Sequence, residues 1–389
     1  MKYKMVNRFS AATVFFILTV FAACKKDFRD IEISLEAAPM FINIQKSYVF
    51  EAGTDGFQYA YGTVTNLKED LFVTAVRYPR ILSDFEEKAE IIAVRSKDGG
   101  VVWGEPSVIQ RNIGVKNTTN PSVIEISRSE LIMTFSAINS EFSIDLYCKR
   151  SINAGEDWTD HKPISETGRG YHVAINDRLV LNKGRLFLPV AFVDGDIFEN
   201  YERQEIVLFS SDNLGETWKR SNVINADHSL MEPNIVCLDD QEFLMNMRTK
   251  KGYVYFARSK DGGITWKMEN SNIPSPASPQ KIVKIPGTDL LVMVWNNTRE
   301  NFRSSFNNRS PLSIAVSDDK GYHWRYITDI ETNRDFDYSY PSIAFTSNEM
   351  LVLYYEREKI TNNKASLKLA KVPLNSLKKY KDAGKTIKK

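Results

Sequence analysis

Cysteine and histidine are scarce in this chain, at three and four residues among 389. The histidines are scattered, so no zinc-type ligand cluster can be assembled from them and the few thiols. Cys148 and Cys237 lie in separate strand-like runs and are expected as buried thiols rather than a disulfide. An excess of charge of one sign is lacking too. Lys and Arg number 51 against 49 Asp and Glu, a net charge of +2, which gives no reason to expect a nucleic acid as partner. Phosphate loops and dinucleotide fingerprints are absent, and no cofactor is expected. No Pro-rich run or compositional break divides residues 46–375, which read as one large domain.

Long apolar runs are missing except at the N-terminus. Lys2, Lys4 and Arg8 precede an apolar run from Ala11 to Ala23, too short to span a bilayer, which reads as a secretory signal over residues 1–23. Phe21-Ala22-Ala23-Cys24 resembles a bacterial lipobox, in which Cys24 is acylated and begins the mature chain; an ordinary signal peptide is the alternative. Residues 24–45 are then a leader behind a lipid anchor. Residues 376–389 form a Lys-rich, solvated tail. The expected location is the bacterial cell envelope, as an outer-membrane lipoprotein, periplasmic or surface-exposed, that touches the membrane through its anchor only. A monomer is expected.

What the chain has in quantity is repetition. An eight-residue box recurs five times: SKDGGVVW from Ser96, SINAGEDW from Ser151, SDNLGETW from Ser211, SKDGGITW from Ser259 and SDDKGYHW from Ser317. Every copy keeps Ser, then Asp or Asn two residues on, Gly two further, and a closing Trp. The box reads as a tight turn in which Asp or Asn caps, Gly takes a positive φ and Trp buries against its own sheet. A spacing of roughly fifty residues indicates an array or propeller.

Between the boxes lies a second repeat of paired strands. It is visible in Tyr61-GTVTNLKEDLFVTAVR, Asn120-PSVIEISRSELIMTFS, Asn176-DRLVLNKGRLFLPVAF, Glu232-PNIVCLDDQEFLMNMR, Ser278-PQKIVKIPGTDLLVMVW and Tyr340-PSIAFTSNEMLVLYYE. Each is an apolar strand, a polar turn and a second apolar strand with period-two patterning. Inner hairpin, third strand, box and fourth strand make one blade. The repeats predict an all-β, six-bladed β-propeller with the boxes at the outer turns. The last blade lacks a box, and a strand near Ser47-YVFEA is expected to close it by joining the two chain ends.

This register brings inner-strand starts and second-strand ends to one mouth of the channel, opposite the boxes. Glu232, Arg248, Tyr340 and Glu356 gather there, with Asp84 and Arg309 in nearby loops. Several charged groups at equivalent positions of one mouth make a candidate site.

From about residue 50 to 370 the chain resembles the bacterial exo-α-sialidases and the wider Asp-box sialidase-like group. The resemblance implies a glycoside hydrolase that removes terminal sialic acid, or a related acidic sugar, from glycans outside the cell. It implies Tyr340 as nucleophile (with Tyr338 as a competitor), Glu232 as its base and Asp84 as acid/base. Arg248 and Arg309 would hold the substrate carboxylate, with Arg77 or Arg80 as a further contact and Glu356 orienting an arginine. Sialidases open the first blade with an Arg that completes a three-Arg clamp; here that position holds Ala60. Arg178 or Arg169 would supply the replacement cation. Two alternatives remain on the sequence: a non-catalytic glycan-binding propeller, and a glycosidase of the same fold acting on a different sugar.

Overall fold

Alternating apolar and polar residues, broken by Gly, Asn and Asp at the turns, favour strand over helix. The computed structural model describes residues 30–34, 41–67, 70–86, 88–165, 168, 170–193, 203–298, 308–360 and 364–380. Cys24 and Arg169 lie outside them. Among the described residues there are 26 strands and one short helix, Leu374–Lys378.

The strands form an all-β propeller. The first sheet contains Gln58–Leu67, Asp70–Tyr78, Glu90–Ser96 and Ser107–Gln110 in that order. Further round come Met231–Cys237, Phe243–Arg248, Tyr255–Ser259 and Lys267–Glu269, again in chain order. The next sheet has Lys281–Lys284, Leu291–Asn296, Leu312–Ser317 and His323–Glu331, with Glu32–Ser34 added in parallel at its outer edge. The last has Phe336–Phe345, Glu349–Glu358 and Ala365–Pro373, completed by Gln45–Phe50. The expected joining of the chain ends is therefore present.

The expected six separate sheets are not. Among the described residues there are five, because Gly170–Val173 pairs in parallel with Ser143–Ser151 and antiparallel with Arg185–Val193. The strand sets of residues 117–163 and 170–220 thus share one nine-stranded sheet.

Small polar side chains on the innermost strands bond around the axis. Thr63 Oγ1 donates to Pro121 O (2.7 Å), the Arg178 N–H to Ser122 Oγ (2.8 Å), and Asn234 Nδ2 to Ile282 O (3.0 Å). Ser278 and Ser339 share a bond of 2.8 Å, and the Val64 N–H donates to Ser342 Oγ at 3.0 Å, which links the last sheet to the first.

All five boxes sit between the third and fourth strands of their sets. In each, the Ser Oγ accepts the glycine N–H four residues on, as from Gly263 to Ser259 (2.8 Å) and Gly321 to Ser317 (3.0 Å). These glycines need both their positive φ and their missing side chain. A Cβ on Gly321 (φ 84°) would meet Leu244 Cδ2 at 2.6 Å, and one on Gly263 (φ 89°) would meet Leu208 Cδ2 at 2.8 Å, each on the preceding strand set. The box presses each set against the one before it, which is how a turn motif becomes a packing motif. Of the box tryptophans only Trp324 is fully buried; the other four are half-buried and pack against the apolar clusters of the core.

Candidate active site

Four innermost strands carry the same defect. Tyr61, Asn120, Glu232 and Tyr340 have φ of 51°, 58°, 42° and 55°, and each falls inside a register shift of its hairpin. A left-handed non-glycine residue is strained, and a bulge leaves its residue unpaired and re-aims the side chain. Here the bulge turns a channel-lining strand so that one side chain per strand reaches the mouth.

At that mouth Tyr340 Oη donates to Glu232 Oε1 at 2.9 Å, and Arg248 Nη1 donates to Glu232 Oε2 at 2.7 Å. Burial alone would raise the Glu232 carboxyl. The charges of Arg248 and Arg309, with hydrogen bonds from Arg248 and Tyr340, outweigh it and hold the group below its usual value. The Tyr340 phenol moves the other way: burial and then the Glu232 charge push it well above a free tyrosine, against the pull of the two arginines. A neutral phenol thus faces an ionised carboxylate.

Arg309 donates from Nη1 to Tyr355 Oη (2.7 Å) and from Nη2 to Ala277 O (3.3 Å), and its guanidinium lies 5.5 Å from the Tyr340 ring centre. Its own N–H is held by Asp337 Oδ1 at 2.9 Å. Asp84 accepts from Tyr78 Oη at 2.8 Å. Burial raises the Asp84 carboxyl and the Glu232 charge adds to that, while hydrogen bonds from Tyr78 and Tyr61 pull it down. Tyr61 meets the Tyr340 ring edge-on, with centroids 4.6 Å apart, and Tyr355 stacks on it at 5.5 Å.

The sequence-derived candidates divide. Tyr340, Glu232, Arg248, Arg309 and Asp84 come together. Tyr338 does not: it is buried against Tyr354, with centroids 6.1 Å apart. Arg77 and Glu356 are corrections with one shared cause. Across their hairpins Val76 pairs with Ala60, Arg248 with Met231 and Tyr355 with Ser339, each one residue before the bulge. Arg77 and Glu356 lie one residue beyond that position, and one residue along a strand is the opposite face. Arg77 pairs with Glu90 and covers the Phe57 ring at 4.6 Å. Glu356 accepts from Tyr48 Oη (2.7 Å) and Lys368 Nζ (2.8 Å) and orients neither site arginine.

Arg178 is the third correction. It is wholly buried beneath the site, and its guanidinium donates to the carbonyls of Asn176, Asp177 and Gln280. It braces the channel floor and does not line the mouth. Ala60 is buried in the core, and the first strand presents Tyr61 instead.

Among the described residues no group of three or more His, Cys, Asp or Glu could hold a metal ion. A cavity of about 640 Å³ lies on the box side, between Arg258, Trp266 and Tyr322, far along the strands from Tyr340. Glu269 there is held by Arg258 Nε at 3.0 Å, whereas the tyrosine–carboxylate pair lies at the mouth.

Residues 83–353 match the family model of the BNR repeat-like domain. The chain belongs to the BNR repeat-like family. A curated relative of this BNR-repeat protein, a sialidase of Bacteroides fragilis (strain YCH46), is 22% identical over 348 residues, 76% of this chain and 59% of that protein. The chain thus spans about three-fifths of the length of that relative. Trypanosoma rangeli sialidase in complex with sialic acid superposes with a TM-score of 0.70 and 16% identity, covering 90% of this chain and 62% of that one. The NanB sialidase of Streptococcus pneumoniae gives 0.65 and 16%, covering 85% and 71%. The propeller is of the sialidase-like kind.

Sequence reasoning put Tyr61 and Asn176 among the inner-strand starts at the mouth without giving them a role, and passed over Tyr78 and Tyr355; Asn176 Nδ2 donates to Gly62 O (2.6 Å) and Tyr340 O (3.1 Å). The signal for Tyr61 was in the chain. At four inner-strand starts, Tyr61-Gly62, Asn120-Pro121, Glu232-Pro233 and Tyr340-Pro341, the residue before Pro or Gly is the one that bulges, whereas Ser278 before Pro279 keeps a negative φ.

Proposed function

We propose that this protein is an exo-glycosidase of sialidase type that removes a terminal acidic sugar from glycans outside the cell by a retaining mechanism. The observation that carries the reading is the Tyr340–Glu232 hydrogen bond of 2.9 Å, with Arg248 on the other Glu232 oxygen. Sialidases depart from other retaining glycosidases in using a Tyr nucleophile. A carboxylate nucleophile would be repelled by an anionic sugar, whereas a neutral phenol is not. A phenol needs a base to become nucleophilic, and Glu232 is poised to take its proton.

In the first step Tyr340 Oη bonds to the anomeric carbon as Glu232 accepts the phenol proton. The glycosidic C–O bond breaks, and Asp84 protonates the departing oxygen. A carboxyl held above its usual value suits that role. In the second step ionised Asp84 takes a proton from water, the water oxygen bonds to the anomeric carbon, and Tyr340 leaves with the proton returned by Glu232. Arg248 and Arg309 fix the substrate carboxylate by charge-assisted hydrogen bonds, which the planar guanidinium makes in pairs.

With Tyr61 at the first strand, the clamp has two cations and an aromatic edge. That favours sialic acid or a related acidic sugar seated partly by stacking. Cys24 acylation and a place in the outer membrane belong to the same proposal.

The test is hydrolysis of a fluorogenic α-sialoside and of a panel of acidic-sugar glycosides. Glu232→Gln is expected to lower kcat roughly 10²–10⁴-fold on the substrate that wild type cleaves, and Tyr340→Phe to abolish the covalent sugar–enzyme adduct seen by mass spectrometry. Retained turnover in Tyr340→Phe overturns the nucleophile assignment. Binding without hydrolysis by wild type across the panel overturns the enzyme reading.

A further inference from the structure

The strand Glu32–Ser34 runs parallel to His323–Glu331, with Glu32 opposite His323 and Ser34 opposite Arg325. His323 is part of the fifth box, so this added strand starts at the box face and climbs toward the mouth. It is firmly seated. Ile31 is wholly buried, its N–H donates to Asn270 O at 3.0 Å, and the Ile33 N–H donates to Asn272 Oδ1 at 2.8 Å. The chain therefore leaves the propeller on the face opposite Tyr340 and Glu232.

Cys24 lies six residues before Asp30. Fully extended, six residues reach about 21 Å. The strand Asp70–Tyr78, nine residues long, spans the propeller from box side to mouth, about 30 Å at the usual rise. A lipid on Cys24 is within reach of the box face and not of the mouth.

The box tips suit such a surface. Val101, Val102, Ile152 and Ile264 are 72%, 65%, 75% and 63% exposed, all on box turns, and Lys97 and Lys260 stand beside them. Exposed aliphatic side chains with lysines at their flanks match the boundary between acyl chains and phosphates. The same turns carry exposed acids, Asp98, Glu156, Asp157, Asp212, Glu216 and Asp318, of which Glu216 pairs with Lys162 at 2.5 Å and Asp212 with Lys219 at 2.9 Å, so the apolar tips rather than net charge carry the fit. Exposed apolar residues also occur toward the mouth, among them Phe142 at 54% and Val115 at 69%. The short tether decides which face meets the lipid.

We infer that the five-box face is a membrane-docking surface, seated on the bilayer that holds the Cys24 anchor, so that the mouth opens away from that membrane. The inference rests on acylation of Cys24 and is independent of the catalytic reading. A propeller held this way presents its mouth about 30 Å above its own bilayer, to glycans in the medium or on a facing surface rather than to short headgroups beside it.

The test uses the full lipidated chain in vesicles of phosphatidylethanolamine and phosphatidylglycerol containing a headgroup-labelled nitroxide lipid. Fluorophores are placed singly at Val102→Cys and Ile264→Cys on the box face, and at Glu86→Cys and Lys251→Cys near the mouth. The unsubstituted chain, labelled in parallel, corrects for Cys148 and Cys237. Quenching at least twofold stronger at 102 and 264 than at 86 and 251 is expected. Equal quenching at all four positions, stronger quenching near the mouth, or none at any position of a vesicle-bound chain overturns the docking surface. Mass spectrometry of the same sample reads the acyl chain on Cys24, and its absence overturns the proposal at its root. Neither readout uses hydrolysis, so a failure of the glycosidase reading would show only in the turnover assay.

Discussion

Glu232 divides its two oxygens between opposite demands: Oε1 takes the Tyr340 hydroxyl at 2.9 Å and Oε2 takes Arg248 at 2.7 Å. The arginine keeps the carboxylate ionised, and the ionised carboxylate keeps the phenol neutral until substrate arrives. Asp84 has the complementary environment, with its acid form favoured by burial and by the Glu232 charge. Activity in this scheme needs Asp84 protonated, so the alkaline limb of kcat/KM follows the raised Asp84 value. The Tyr78 hydrogen bond stabilises the Asp84 anion and lowers that value. Tyr78→Phe is therefore expected to raise the Asp84 carboxyl further and to move the alkaline limb to higher pH, leaving the acid limb in place. A pH–rate profile of the two proteins checks this. A limb that stays put, or moves down, separates Asp84 from the acid role. At this scale the sequence was readable where a motif fixed the register, as for Glu232, Arg248, Arg309 and Tyr340. It misled at Arg77 and Glu356 because strand alternation turns a one-residue error into the wrong face.

At the scale of single elements two devices recur, the bulge and the box, and they differ in how openly the chain displays them. The box is a fixed pattern of side chains with its own local bonds, so it was legible in all five copies. A bulge changes backbone register without changing hydrophobic pattern, and its trace, a Pro or Gly after the bulging residue, is shared by Ser278-Pro279 where no positive φ occurs, so Tyr61 in place of Ala60 was not read from the chain. Sheet count failed for a related reason: Gly170–Val173 is short enough to read as part of a loop, yet its two pairings merge neighbouring strand sets. The box should matter to stability and not to chemistry. Ser259 is buried, accepts from Gly263 N–H at 2.8 Å and donates to Asp261 Oδ1 at 2.8 Å. Ser259→Ala leaves the buried Gly263 N–H without its acceptor, which costs roughly 1–3 kcal/mol. Urea unfolding is expected to show that loss with kcat and KM unchanged. A change in kcat would give the box a part in catalysis that its position opposite the mouth does not provide.

For the whole molecule the decisive fact is that a ring must be closed by something. Phe336–Phe345, Glu349–Glu358 and Ala365–Pro373 would leave an open edge at the C-terminal end of the propeller. Gln45–Phe50 covers that edge in antiparallel register, from Gln45 opposite Lys371 to Phe50 opposite Leu367. Side chains reinforce the join, with Lys46 Nζ 2.9 Å from Glu331 Oε2 and Tyr48 Oη 2.7 Å from Glu356 Oε1. Glu356, expected at the active site, thus serves closure instead. Edge strands left open are marginal and prone to pair with other chains. A chain that begins at Glu51 is expected to lose on the order of 3 kcal/mol, at roughly 0.5–1.5 kcal/mol per ladder hydrogen bond. Amide exchange should locate the loss in Ala365–Pro373, whose protection falls first, while the inner strands around Glu232 and Tyr340 keep theirs. If protection in Ala365–Pro373 were unchanged, the ring would be held by the inner-strand bonds from Ser342 to Val64 and from Ser278 to Ser339, and the N-terminal strand would only cover an edge already stable. The two outcomes differ in what sets the geometry of the mouth. In the first, the chain ends hold Tyr340 in line with Glu232. In the second, the polar ring around the axis does so alone.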